Sequence, residues 1–214
     1  MADFTNRNAD ETKEYILTFD ENGGSPEYTK IEDANGVDRT AEVVELLGIN
    51  DKASLSGAVI QTVSVTKTNA YVEAVDGAAV KSSDVDGLIA SITPKFDTSK
   101  ILVFGFISGG FEEAGLSTNL HLFRDGSEIA SGDPLGDRTP AHTALQTNAD
   151  NRMTQMSFSF LDDPQTGLEV DYSLRFSKIS AGVHSLNINR TENFIDSTSR
   201  IRAVSTITVM EIGA

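Results

Sequence analysis

Polar and apolar residues alternate most cleanly in two stretches of this chain. Met156, Phe158 and Phe160 alternate with Ser157 and Ser159, while Val170, Tyr172, Leu174 and Phe176 alternate with Asp171, Ser173 and Arg175. A period of two sends successive side chains to opposite faces, so each stretch predicts a strand with one wet face. Ala58–Thr66, Gly87–Pro94, Asn119–Arg124, Ser127–Ala130, Leu186–Arg190 and Arg202–Ile212 read as further strands, with Asp125-Gly126 as a hairpin turn. Lys100–Ser108 is apolar on both faces, which predicts a central strand. About eight to ten strands follow Gly57 with no convincing helix. That pattern predicts an all-β antiparallel sandwich, and the strand count favours a jelly roll over an immunoglobulin fold.

The first 56 residues are patterned differently. Tyr15–Phe19 and Tyr28–Glu32, separated by the turn-forming Asn22–Pro26, predict one hairpin. Asp38 is placed to cap a short helix that carries Val43, Val44, Leu46 and Leu47 on its apolar side and ends at Gly48. So small a unit, without disulfides, buries too little surface to be secure alone. Residues 1–56 are therefore expected to be an acidic docking segment, with Tyr15, Leu17, Phe19, Val43, Val44, Leu46 and Leu47 meeting a platform. Residues 57–214 are expected to form the jelly roll, with Phe104, Phe106, Phe158, Phe160, Tyr172, Leu174 and Phe176 as its core or self-association residues.

Composition narrows the function. The chain has 214 residues, no Cys, three His and a net charge of −15, with an isoelectric point near 4.5. Residues 1–56 hold 13 acids and 5 bases, a net −8 of that total. Such a surface repels phosphate backbones and anionic headgroups, so neither a nucleic-acid partner nor membrane insertion is expected. The longest apolar run, Ile101–Ile107, is far short of a membrane span, and the N-terminus lacks a secretory-signal pattern. The chain is thus expected to leave a cell by lysis rather than export.

No phosphate-binding glycine loop, nucleophile elbow or H-E-x-x-H motif is present. His121, His142 and His184 share no metal-ligand spacing, and Asp162-Asp163-Pro164 reads as a polar turn rather than a catalytic acid pair. Asp84-Val-Asp86-Gly87 opens like a calcium loop but lacks the remaining ligands, which leaves a weak oxygen-ligand site open. Asn189-Arg-Thr191 matches a glycosylation sequon and reads as a turn after a strand. No enzymatic activity and no cofactor are expected.

Several phrases occur in a suggestive order: Val59–Thr68, Gly87–Pro94 with Ser99–Val103, Leu122–Gly126 with Ile129–Gly132, Met156–Asp162, and Val204–Ile212. Together they resemble the C-terminal jelly-roll module of tail-fibre and other virion structural proteins of marine and cyanobacterial bacteriophages. The architecture is also similar to trimeric C1q and tumour-necrosis-factor heads, in which strands corresponding to Lys100–Ser108 and Arg202–Ile212 lie near the three-fold axis. The resemblance covers about three quarters of the chain and implies a homotrimer on the virion surface, partnered by phage capsid or tail proteins, as a capsid decoration, head fibre or short tail fibre. The alternative it leaves open is a lectin-like, host-glycan-binding tip. Aromatic platforms for sugars are scarce, with no Trp and only Tyr15, Tyr28, Tyr71 and Tyr172. Of these, Tyr71 is the one expected to be exposed on the jelly roll, and the loops Gly109–Thr118 and Gly132–Asn151 are the expected recognition surfaces.

Overall fold

The computed structural model describes residues 16–17, 31–32, 56–113, 115–146, 153–191, 198 and 200–213. The chain divides into two units, Met1–Ser56 and Gly57–Ala214. In the first, β1 (Ile16–Leu17) pairs antiparallel with β2 (Ile31–Glu32), Leu17 opposite Ile31. The helix expected after Asp38 lies outside the described residues, as do Tyr15, Phe19, Val43, Val44, Leu46 and Leu47.

The second unit is all β among its described residues. Its strands are β3 (Val59–Lys67), β4 (Tyr71–Asp76), β5 (Ala90–Ile92), β6 (Lys100–Phe111), β7 (Ser117–Arg124), β8 (Ser127–Ile129), β9 (Thr143–Gln146), β10 (Thr154–Asp162), β11 (Val170–Ser177), β12 (Val183–Ile188) and β13 (Ser205–Ile212). One sheet runs β10, β6, β13, β3, with β12 and β4 continuing the rows of β13 and β3 beyond the end of β6. The other runs β5, β11, β7, with β8 and β9 in line along the edge of β7. All pairs are antiparallel, and each sheet interleaves early and late strands, as a jelly roll does. No helix among the described residues is long and apolar enough to cross a membrane.

The core lies between the sheets. Ile101, Val103 and Ile107 of β6, Ile207 and Val209 of β13, and Met156 and Phe158 of β10 meet Leu120 and Leu122 of β7 and Tyr172, Leu174 and Phe176 of β11. Phe160 packs against this cluster from a partly buried position. Gly105 sits in β6 because a Cβ there would come within 2.1 Å of the Thr206 carbonyl oxygen and 3.0 Å of the Phe158 ring. Beyond β5, the edge of β11 is continued by an irregular segment: the Ala79, Ser82 and Val85 amides donate to the carbonyls of Lys178, Phe176 and Leu174.

The fold departs from the sequence reading at two short strands and at Asp162, and it adds burial at Asn189. β4 and β9 are strands that alternation did not predict, because both are short and carry polar or small residues at the sheet edges. Asp162 is not a solvated turn residue: it is buried at the end of β10, where Arg124 Nη1 (2.8 Å) and the Tyr172 hydroxyl (2.7 Å) both donate to its Oδ2. Burial and the bond to Asp162 push the Tyr172 hydroxyl far above its usual pKa, so the phenol keeps its proton and, with Arg124, bolts Asp162 of one sheet to the other. Asn189 does follow a strand, with φ 60°, but its carboxamide is fully buried and donates to the Lys67 and Asn69 carbonyls. That burial closes the sequon to modification in the folded chain.

Candidate functional site

Register identifies an uncharged outer face on the sheet of β10, β6, β13 and β3. In β6, Ile101, Val103 and Ile107 point into the core, so Leu102, Phe104 and Phe106 point outward. Cross-strand pairing sets Leu102 between Met210 and Leu161, Phe104 between Thr208 and Ser159, and Phe106 between Thr206 and Ser157. Thr62, Ser64 and Thr66 of β3 extend the same face. Its hydroxyls pair with one another, Ser64 with Thr208 at 2.9 Å and Thr66 with Thr206 at 3.1 Å. None of these positions carries a charge, although the chain's net charge is −15. Phe104 and Phe106 are half-buried and Leu161 is exposed. Of the residues expected to form the core or self-association surface, Phe158, Tyr172, Leu174 and Phe176 are in the core, while Phe104 and Phe106 lie on this open face.

The outer face of the other sheet is polar and closed. His121 is fully buried and stands between two partners: its Nδ1 is 2.6 Å from Glu128 Oε1 and its Nε2 is 2.8 Å from Ser177 Oγ. Lys81 Nζ lies 2.8 Å from the other Glu128 oxygen, and Asn119 Nδ2 donates to Ser177 Oγ at 3.3 Å. An ionised Glu128 only accepts, so the Nδ1 proton is on His121. Burial holds the His121 pKa below its usual value despite the opposing pull of Glu128, so the ring is neutral and Nε2 accepts the serine proton. Burial would raise the Glu128 pKa, yet Lys81 and His121 hold it low. The result is a directed relay, Asn119 to Ser177 to His121 to Glu128, closed by Lys81.

This order of groups is that of a nucleophile, base and orienting acid. Ser177 and His121 are, however, both fully buried, and Asn119, which bonds Ser177, is buried with them. A nucleophile without substrate access does not attack, so the relay acts as a structural polar network. Sequence spacing missed it because its members come from three strands. The one legible signal was the Asp125-Gly126 hairpin, whose register brings Glu128 diagonally beside His121. The expected result is a pH dependence. The folded His121 pKa is depressed, so the unfolded chain binds the extra proton and stability falls as pH drops below about 6.5. Urea midpoints should decline from pH 7.5 to 5.5, and His121→Gln should flatten that decline. An unchanged slope in the variant would refute the assignment.

Beside this network, Asp84 is committed to structure. Arg175 binds it through Nε (2.8 Å) and Nη2 (3.0 Å), and the Ser173 hydroxyl donates at 2.6 Å. The Arg175 bond keeps the Asp84 carboxyl below its ordinary pKa, and the guanidinium stacks 4.2 Å from the Phe123 ring centroid. Asp84 is thus not free to open a calcium loop. Among the described residues, no group of three or more His, Cys, Asp or Glu is placed to hold a metal ion. Tyr71, expected to be exposed, is half-buried and donates its hydroxyl to Glu73 at 2.5 Å.

Fold and surface together define an all-β jelly-roll module with one uncharged sheet face among its described residues. No family model matches the chain and no curated protein matches it. Among solved structures, it matches the infectious bursal disease virus Gt strain with a TM-score of 0.38 and 16% identity, covering 72% of this chain and 38% of that chain. It matches the T=1 particles derived from the same virus with a TM-score of 0.38 and 14% identity, covering 72% and 36%. A VP2 subviral particle of that virus gives 0.36 and 14%, covering 72% and 38%. The chain therefore spans less than two-fifths of the length of these solved chains, and scores of this size carry no argument about what it does.

Proposed function

We propose that this chain is a non-enzymatic structural protein of a bacteriophage virion: a homotrimer on the particle surface, anchored by residues 1–56, with the jelly roll projecting outward as a capsid decoration, head fibre or short tail fibre. The observation that carries the reading is the uncharged outer face of β10, β6, β13 and β3. Identical subunits of net charge −15 repel one another everywhere except through such a face. A partner of opposite charge, by contrast, would be met by an acidic surface. Depletion of charge around Phe and Met side chains is a mark of an interface core, here Phe104, Phe106 and Met210. Four strands about 4.8 Å apart and some six residues of ~3.3 Å rise give the face about 400 Å², and a polar rim would bring it toward the ~800 Å² per partner of a standard interface.

The direction of projection follows from the chain ends. The Gly57 amide donates to the Gly213 carbonyl at 2.7 Å, and the Gly213 amide to Ala58 at 2.9 Å, so both ends of the jelly roll leave from one pole. An anchor there turns the opposite pole outward. The partners in this reading are the chain itself and phage capsid or tail proteins. Host glycans are a weaker candidate, since the Tyr71 ring is half-buried and its hydroxyl committed. Antibodies raised against residues 57–214 should decorate intact particles in electron micrographs. Labelling only after particle disruption would overturn the surface placement.

A further inference from the structure

Three Asp-Gly pairs stand among the described residues of the jelly roll: Asp76-Gly77, Asp86-Gly87 and Asp125-Gly126. In such a pair the glycine nitrogen reaches the aspartate Cγ readily, because a residue without a Cβ leaves the backbone free to close a five-membered ring. The fold treats the three pairs differently. The Gly77 amide donates to the Gly182 carbonyl at 3.1 Å, and that bond must break before its nitrogen can attack. Asp125 lies in the hairpin between β7 and β8 with φ 48°, where its Oδ1 accepts from the Asp171 amide at 2.9 Å and its own amide donates to the Asp171 carbonyl at 2.9 Å.

Asp86-Gly87 is the uncommitted pair. Both residues are exposed, and among the described residues neither the Asp86 carboxylate nor the Gly87 amide has a hydrogen-bond partner. They are the central residues of a turn closed by the Leu88 amide, which donates to the Val85 carbonyl at 3.0 Å. Gly87 holds φ 75°, as the third residue of a type II turn does. The peptide between Asp86 and Gly87 takes no part in the closing bond. A cation stands close to it: Lys67 is buried, and its ammonium lies 3.4 Å from where a Gly87 Cβ would be. Positive charge there favours loss of the Gly87 amide proton, which frees the nitrogen lone pair for attack.

We propose that Asp86-Gly87 is a site of spontaneous backbone modification, at which the folded chain converts Asp86 to isoaspartate. The deprotonated Gly87 nitrogen forms a bond to Cγ of the protonated Asp86 carboxyl, the Cγ–OH bond breaks, and the hydroxyl leaves as water, giving a succinimide. Water then adds to an imide carbonyl and a ring C–N bond breaks. Cleavage of the new Cγ–N bond restores aspartate. Cleavage of the original peptide C–N bond leaves the main chain running through Cβ and Cγ, with the α-carboxylate as the side group. Water lost is water regained, so isoaspartate has the mass of the parent and no oxidant or reductant takes part. The product adds a main-chain carbon between Val85 and Leu88, both fully buried, so the turn lengthens between fixed anchors. The inference holds for the chain alone and does not rest on the trimeric reading.

The full chain, kept at neutral pH and body temperature for weeks, should be digested and its peptides sequenced by electron-transfer fragmentation, which distinguishes isoaspartate from aspartate. Mapping by peptide also keeps residue 86 apart from the Asn22-Gly23 and Asn35-Gly36 steps. Isoaspartate at residue 86 should accumulate about fivefold faster than at residues 76 and 125, the population cost of opening one hydrogen bond. Asp86→Asn should close the same ring faster, with ammonia as the leaving group, and lose its carboxamide while the chain stays folded by circular dichroism. A rate at residue 86 no higher than at 76 and 125, or a folded Asp86→Asn chain that keeps its carboxamide, would overturn the proposal.

Discussion

Replacing Phe104 and Phe106 together by Asp should leave the jelly roll folded and abolish its self-association. Both side chains point away from the core, between Ser159 and Thr208 and between Ser157 and Thr206, so the sandwich keeps its packing. In the assembled state each carboxylate would sit unpaired in a dehydrated contact, at a cost of several kcal/mol. Two per subunit should weaken assembly by at least about a thousandfold, since ~4 kcal/mol corresponds to three decades. Ser159→Arg gives a milder check: it is exposed, faces Phe104 across the strand pair and touches no core residue. It should weaken assembly with the melting temperature of the isolated subunit unchanged. Retention of the wild-type mass by the double variant would remove the face from the account.

Lys178→Met should produce the largest loss of stability among single polar substitutions at the outward pole. The methionine fills similar volume but leaves the carbonyls of Gly77, Ser180 and Gly182 without the ammonium they now share. An orphaned buried acceptor costs about 1–3 kcal/mol, and water can reach part of a loop. A net loss of about 3 kcal/mol is expected, or some 6–12 °C in melting temperature for a domain of this size. Hydrogen exchange should locate the damage: the Ala79 and Gly77 amides, which bond to Lys178 and Gly182, should lose protection before those of β6 and β13. A variant as stable as the parent would mean that the lysine cage is incidental.

How far these features were legible depends on the range over which each is encoded. The alternation in β10 and β11 and the Asp125-Gly126 turn are local, and each appears where the pattern placed it. β6 is more instructive. Its two-sided apolar pattern predicted a central strand. The strand is indeed central, with partners on both edges; one of its faces packs into the core, while Leu102, Phe104 and Phe106 on the other are half-buried. In the proposed trimer, the excess hydrophobicity at Leu102, Phe104 and Phe106 is what other copies of the chain would cover. Asp162 misled for the converse reason. Beside Asp163 and Pro164 it has the neighbours of a turn, and its burial is compensated by Arg124 and Tyr172, 38 and 10 positions away and in the opposite sheet. The relay through His121 likewise joins residues 56 positions apart, Ser177 and His121, through a sheet register that no spacing rule encodes.

Charge distribution ties these points together. An acidic chain stays soluble and keeps foreign surfaces away, so the places where charge is missing mark where contact is allowed. Among the described residues of the jelly roll, the outer face of β6 with its neighbours is such a place. Sedimentation equilibrium of the intact chain at micromolar concentration tests this claim most directly. A single species at three times the 23.0 kDa chain mass is expected, and a species at the mass of one chain would overturn the trimeric reading.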